Sequence, residues 1–471
     1  MTSVDYIKAA VVVPLFLLAA PLAGVAIRQR PGWQRVVFAL MCFMTINGLM
    51  GPGNWGLTID SIETYRGHTK GYHFYFNHAL AIALIVACRA EHPSSFRWMP
   101  HGVGGYLFYC GLSILSLLNA PVASLVLMTA HKMVFAIVLM IATFNYLRTE
   151  KEICFFLRVM AWVMLWQVYV CLKLKYLNGV YQVRGTFEHQ NPLAMYTVMI
   201  GMPLLAVALG PPFKGAKLLM AGFLACGVIV QCTLSRAALA VFAGGVIGVM
   251  GLSVVEKPTS RRFLAISFMG VVGAVGLLLT LDTIISRFND QGNEASAELR
   301  EVMKEACREM VKDHPLGIGW NNYALVVNPP YRYAEIYYDW TRGRNMRVDE
   351  SRPNSVVESH YYLLLAENGY PGLVGWLLVL ILGLWRNARA LWEFEHSLLR
   401  CLSLGIAFGC GLNYVQSTLE RVLTQPRNLM LWLILMGVTA RLEIMRRERR
   451  KNRASASEQR GLRSGAEALE G

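Results

Sequence analysis

The 471-residue chain is 55% hydrophobic and only 16% charged, where soluble domains carry roughly 25% charged residues, so an ordinary water-soluble globule is excluded. Its formal net charge of +15 does not point to nucleic acid. The basic residues sit in short loops between apolar runs and in the tail 441–453, which is the pattern of cytoplasmic loops lying against anionic lipid.

In chain order, apolar runs occupy 8–27, 36–52, 72–88, 103–119, 122–147, 153–174, 192–210, 217–233, 237–255, 263–285, 361–385, 399–414 and 428–440. A helix needs about 20 apolar residues to cross a bilayer, so the runs predict an all-α polytopic membrane protein with about 12 transmembrane helices, or 13 if the short last run also crosses. The first run lacks a basic leader and a small-residue cleavage site, and reads as a retained membrane segment. The chain divides into an N-terminal bundle (1–285), a loop region (286–360), C-terminal membrane helices (361–440) and a basic cytoplasmic tail (441–471).

Loops bearing Arg28, Arg30 and Arg35, Arg89 and Arg97, Lys214 and Lys217, Lys257, Arg261 and Arg262, and Arg386 and Arg389 are assigned to the cytoplasm. The alternate segments 53–71, 175–191, 235–236, 286–360 and 417–427 then face outward. The 286–360 loop is the long one. Leu299, Val302, Met303, Ala306, Met310 and Val311 recur in it at helical spacing with acidic and basic residues between, predicting an amphipathic helix on or near the outer membrane surface. The helix stops at His314-Pro315.

Several arginines fall outside the basic cytoplasmic loops: Arg66, Arg184, Arg236, Arg287, and the group Arg342, Arg344, Arg347 and Arg352. Arg236 sits in a tight turn between two apolar runs. There a guanidinium either snorkels to headgroups or serves an anion that its fork matches, such as phosphate. Arg184, Glu188, His189 and Asn191 crowd together before a membrane helix that starts at Asn191-Pro192; the bland alternative is a capping loop. His360 precedes an apolar run, and histidine is the side chain best matched to proton transfer near neutral pH, although a lone interfacial histidine is more often structural. Glu358, Glu367 and Lys132 are weaker candidates. No Asp-x-Asp or Glu-x-Asp pair offers a divalent metal a seat in an outward segment, no phosphate-binding Gly-x-x-x-x-Gly-Lys loop occurs, and the ten cysteines have no metal or redox spacing.

Four blocks, Arg184-Gly-Thr-Phe-Glu-His-Gln-Asn-Pro-Leu-Ala, Thr233-Leu-Ser-Arg-Ala, His314-Pro-Leu-Gly-Ile-Gly-Trp-Asn-Asn-Tyr and Ser359-His-Tyr-Tyr-Leu-Leu-Leu-Ala-Glu-Asn-Gly, occur in an order that resembles the O-antigen ligase and O-antigen polymerase superfamily of bacterial membrane glycosyltransferases. The resemblance covers roughly 184–375. It implies a GT-C-like bundle with a large helical periplasmic loop in the bacterial inner membrane. It further implies a metal-independent, cofactor-free inverting transfer of a glycan from undecaprenyl diphosphate to an acceptor hydroxyl on the periplasmic side. In that reading Arg184 and Arg236 bind the donor diphosphate and His360 acts as base or orients the acceptor, with Glu188, His189, Asn191, Arg66, Lys132 and Glu358 in support. The expected partners are the lipid-linked donor, a lipid A core or a growing glycan as acceptor, and membrane lipids. The leading expectation is an O-antigen ligase. A polysaccharide polymerase or a protein O-oligosaccharyltransferase shares the same blocks, and a flippase or transporter remains a different class of reading. A transporter often shows two related halves, and no such repeat is visible.

Overall fold

The computed structural model describes residues 3–46, 56–260, scattered positions from 262 to 285, 292–343, 356–393 and 397–470. Among them, nine helices are long and apolar enough to cross a membrane. The membrane-related helices in the N-terminal part are α1 (Asp5–Ile27), α2 (Pro31–Phe43), α3 (Phe76–Glu91), α4 (Val103–Asn119), α5 (Ala123–Tyr146), α6 (Glu150–Leu177), α7 (Gln190–Ala208), α8 (Ala216–Thr233) and α9 (Arg236–Glu256). The loop region contributes α10 (Gly292–Asp313) and α11 (Ala334–Gly343), and the C-terminal part α12 (His360–Trp392), α13 (Leu398–Gln416) and α14 (Pro426–Glu470). The chain is thus the all-α polytopic membrane protein that its apolar runs predict. Helix α3 has 16 residues, and α4 covers the whole of its predicted run 103–119, ending in a 3-10 turn; α2 has 13 residues, and the end of its predicted run, 47–52, lies outside the described residues. The run at 263–285 lies largely outside the described residues.

The run 72–88 is not all helix. Its first four residues, Tyr72–Tyr75, form strand β2, which pairs antiparallel with β1 (Gly56–Ile59), Gly56 opposite Tyr75 and Ile59 opposite Tyr72. Aromatic side chains suit a pleated half-buried surface, and the hairpin folds the preceding loop back over the end of the bundle. The Asp60 amide donates to Asp5 Oδ1 at 3.1 Å, tying that loop to α1.

Helix α7 is the hub. Every residue from Pro192 to Ala208 is buried, as expected of a helix apolar on all faces, and it packs against α8, α9 and α13. Gly405 and Gly409 of α13 lie directly against the α7 backbone at Pro203 and Met199, a small-residue contact of the kind that lets membrane helices approach closely.

Helix α10 is the amphipathic helix that the spacing of apolar residues in the long loop predicts, ending just before His314-Pro315. Its apolar side, Ala306, Cys307 and Met310, is buried against Tyr323, Val326, Tyr333, Leu363 and Ala366. It therefore covers the start of α12 and the chain between them, and its amphipathic face is met by protein.

Helix α12 is two helices joined at a break. Gly369 has φ 63° and ψ −167°, a conformation nearly confined to glycine. The segment 315–319 lays its backbone into this break: the amides of Ile318 and Gly319 donate to the carbonyls of Ala366 and Glu367 at 3.0 and 3.1 Å, and the Tyr370 amide donates to Pro315 at 3.0 Å. Gly317 at φ 90° makes the approach possible from the other side. Sixteen residues of straight helix would span about 24 Å, yet the His360 and Trp376 rings sit 5.5 Å apart, edge to face. The arm carrying His360 is folded back on the long arm.

Candidate active site

His360 is the first residue of the short arm of α12. Its backbone amide donates to the Ser417 carbonyl at 3.0 Å, which fixes the arm to the loop between α13 and α14. The imidazole is 1% exposed, so it lies beneath the rim and not on it. Neither ring nitrogen has a hydrogen-bond partner among the described residues. Buried polar groups are seldom left so. The charged and titratable groups that bear on it electrostatically are Arg421, His68 and Lys132.

These side chains come from three distant parts of the chain. Lys132, on α5, is 4% exposed, and its ammonium has no hydrogen-bond partner among the described residues. His68 lies on the loop between β1 and β2 and is held there by Asn321, whose Oδ1 accepts from the amides of His68 and Thr69 at 2.9 and 3.2 Å and whose Nδ2 donates to Thr69 O at 2.7 Å. The Tyr65 hydroxyl donates to the Asn321 carbonyl. His68 Nε2 is 2.9 Å from Glu367 Oε2. Burial, reinforced by the charges of Lys132 and Arg421, holds the His68 imidazole well below the usual histidine range. Glu367 also accepts from the Tyr323 amide at 3.3 Å.

Arg421 belongs to the turn that follows α13. Burial draws its guanidinium down from the usual arginine value, while Glu367, Glu188 and Glu420 oppose that shift, and it remains a cation. The same turn carries Glu420, whose carboxyl is pushed up to about 7 by burial and by Glu358. Glu420 Oε1 accepts from Asn191 Nδ2 at 2.8 Å, and Arg427 donates to the Thr186 carbonyl and covers the Phe187 ring at 4.9 Å. The 417–427 turn therefore joins His360 to the mouth of α7.

That mouth holds the other candidates. Arg184 is exposed and its guanidinium reaches the Glu188 carbonyl at 3.4 Å. Glu188 and His189 are also exposed. His189 caps α7 by accepting from the Asn191 amide at 3.3 Å, and burial draws its imidazole below the ordinary value against the opposing effect of Glu358. The Val183 amide donates to Cys232 O at 3.2 Å, which brings the Arg184 loop beside the end of α8. Leu234 then turns the chain in the left-handed region, and half-buried Arg236 opens α9. Glu358 pairs with Arg300 of α10. Arg66 is exposed on the His68 loop. Arg342 pairs with Glu335 at 3.1 Å, whereas Arg287, Arg344, Arg347 and Arg352 lie outside the described residues.

All four sequence blocks thus meet at one end of the bundle. His68 and Arg421 are the members that sequence reasoning missed. Arg421 and Arg427 were open to the same charge argument as Arg184, since both lie in a segment assigned outward, while His68 carries no pattern in its neighbours. Glu367, a minor candidate by sequence, is central in space.

The arrangement offers an imidazole without a hydrogen-bond partner among the described residues, under the electrostatic influence of Arg421, Lys132 and His68, the last of which contacts the Glu367 carboxyl group. No curated protein matches the chain. A family model described as O-antigen ligase matches residues 221–377, a segment that holds the Arg236, His314 and His360 blocks and begins after the Arg184 block. That match, covering about a third of the chain, supports its resemblance to the O-antigen ligase and polymerase superfamily.

Proposed function

We propose that this protein transfers a glycan from undecaprenyl diphosphate to an acceptor hydroxyl on the periplasmic face of the bacterial inner membrane, with inversion and without a metal, and that the acceptor is the lipid A core. The observation that carries the reading is His360: a buried imidazole with both nitrogens unbonded among the described residues, next to the positive charges of Arg421 and Lys132.

In the transfer, the acceptor oxygen forms a bond to the anomeric carbon of the donor sugar as the bond from that carbon to the diphosphate oxygen breaks. The electron pair leaves with the diphosphate, and the hydroxyl proton passes to a His360 nitrogen. A leaving diphosphate gains negative charge at this step, and cations already fixed in place stabilise it without reorganisation. Arg184 and Arg236 supply that charge at the rim, with Arg421 and Lys132 deeper. Arginine suits the task because its fork matches two phosphate oxygens. Glu188, His189, Asn191, Arg66 and Glu358 shape the loops around the entry.

The test is reconstitution of the purified protein with a lipid-linked glycan, with and without lipid A core. Glycan joined to core marks a ligase, and elongated lipid-linked glycan marks a polymerase. In the same assay His360→Ala is expected to slow transfer by about 10²–10⁴, the usual worth of general-base assistance, while the donor still binds. A His360→Ala protein that transfers at the normal rate overturns the assignment and makes His189 the next residue to test.

A further inference from the structure

Beside the cluster around His360 lies a small, partly open cleft, lined in part by Tyr75, Asn77, Phe187, Glu188, Arg427 and Asn428. It is set between the start of α3, the mouth of α7 and the start of α14. Asn428 is fully buried, and neither its amide oxygen nor its amide nitrogen has a hydrogen-bond partner among the described residues. Asn77 is 1% exposed; its amide oxygen is likewise unpartnered, and its nitrogen meets only the sulfur of Met430, at 2.9 Å. Two buried carboxamides that line one cleft and are left unpaired among the described residues are costly to a fold unless something else completes them.

The chemistry of the lining selects what that is. A phosphate offers only acceptors: it could meet the Arg427 guanidinium and the amide nitrogens, but it would leave both amide oxygens unpaired and lie against the Glu188 carboxylate. A hydroxyl both donates and accepts, as a carboxamide does. The remaining walls, Met44, Pro192, Met430 and the Phe187 ring, suit the C–H faces of a ring that bears hydroxyls. A hydrocarbon chain would leave the amides unpaired.

We propose that this cleft is a saccharide subsite, in which Asn77 and Asn428 bind hydroxyls of a sugar ring belonging either to the glycan being transferred or to its acceptor. The inference rests on the transfer proposed above, and Glu188, which bears on Arg421, gives the cleft its link to that site.

The experiment uses the full-length protein in nanodiscs with three kinds of probe: bare undecaprenyl diphosphate, the same lipid carrying its glycan, and the lipid-free repeat-unit and core oligosaccharides. Asn428→Leu is expected to leave binding of the bare lipid unchanged and to weaken binding of one sugar-bearing probe by about tenfold, the worth of one well-made hydrogen bond. Loss with the glycan-carrying lipid and the repeat unit assigns the cleft to the donor, and loss with the core oligosaccharide assigns it to the acceptor. If the leucine variant no longer binds the bare lipid, Asn77→Ser and Asn428→Ser are read in the same way. Unchanged binding of every sugar-bearing probe overturns the proposal and leaves the cleft to water. Failure of the wild-type protein to bind the bare lipid diphosphate overturns the transfer reading, whereas the lipid-free oligosaccharides still decide the cleft.

Discussion

Arg421 stands where the outer turn 417–427 meets the interior, with three carboxyl groups, Glu367, Glu188 and Glu420, drawing on its charge. In the proposed transfer it is a cation that bears directly on the base, so its loss belongs with loss of the donor site. Arg421→Ala is expected to abolish transfer and weaken donor binding, and Arg421→Lys to restore little, because a point charge lacks the bidentate fork. Normal donor affinity in Arg421→Ala, measured with the lipid-linked glycan, removes it from diphosphate binding. Its neighbour Glu420 gives the same turn a pH dependence. The Glu420 carboxyl sits near 7 in the fold against 4.5 for the ordinary group, through burial and the nearby Glu358. Between those values the folded protein holds a proton that the unfolded chain has lost, so this contribution to stability is complete below about pH 4.5 and is lost as pH rises through about 7. Glu420→Gln should therefore flatten the fall in Tm across that window in detergent, and an unchanged slope would refute the assignment.

At the scale of elements, the break in α12 governs the site. The sequence Asn368-Gly369 announces an interruption, and the His314-Pro-Leu-Gly-Ile-Gly block announces turns, but that the two interlock is a long-range fact that no local pattern encodes. The same limit hid the burial of His360. An apolar run beginning after a histidine looks like a helix emerging at the surface, and only the return of the chain at Gly369 brings Trp376 over the imidazole. The strand Tyr72–Tyr75 was lost for a different reason: its aromatics continue smoothly into the apolar residues of α3, and hydropathy does not separate a strand from the helix that follows it. The membrane spans themselves were legible, since about 20 apolar residues in lipid have one stable form. A side chain at Gly369 would fall on the Pro315 carbonyl in a backbone conformation costing about 1–3 kcal/mol for other residues. Gly369→Ala is thus expected to lower Tm and to cut transfer as severely as a change at His360, by displacing the arm that bears it. A Tm and rate equal to the parent's would show that the break does not position the site.

For the whole molecule, the sidedness follows from charge. The end of the bundle opposite the site is laced with arginines bonded in place, among them Arg262 to the Leu209 carbonyl at 2.9 Å, Arg400 to Glu256 at 2.9 Å and Arg446 to Glu393 at 3.1 Å. Basic residues there favour the cytoplasm, and we propose on that ground that the His360 end faces outward. A cysteine at Asp339, an exposed position on α11, should be labelled by an impermeant maleimide in intact spheroplasts; labelling only after lysis inverts the topology. The outermost helices add a further consequence. Only 22% of the most apolar stretch of α9 is buried by the protein, and Arg236 is its first residue. A donor anchored by a polyisoprenoid moves within the plane of the bilayer and has no route from the aqueous side. In the proposed transfer, a helix largely open to hydrocarbon and headed by a guanidinium would serve as a side door, the polyisoprenoid tail passing along α9 through the lipid, the diphosphate meeting a cation at the threshold and the sugars alone travelling through water.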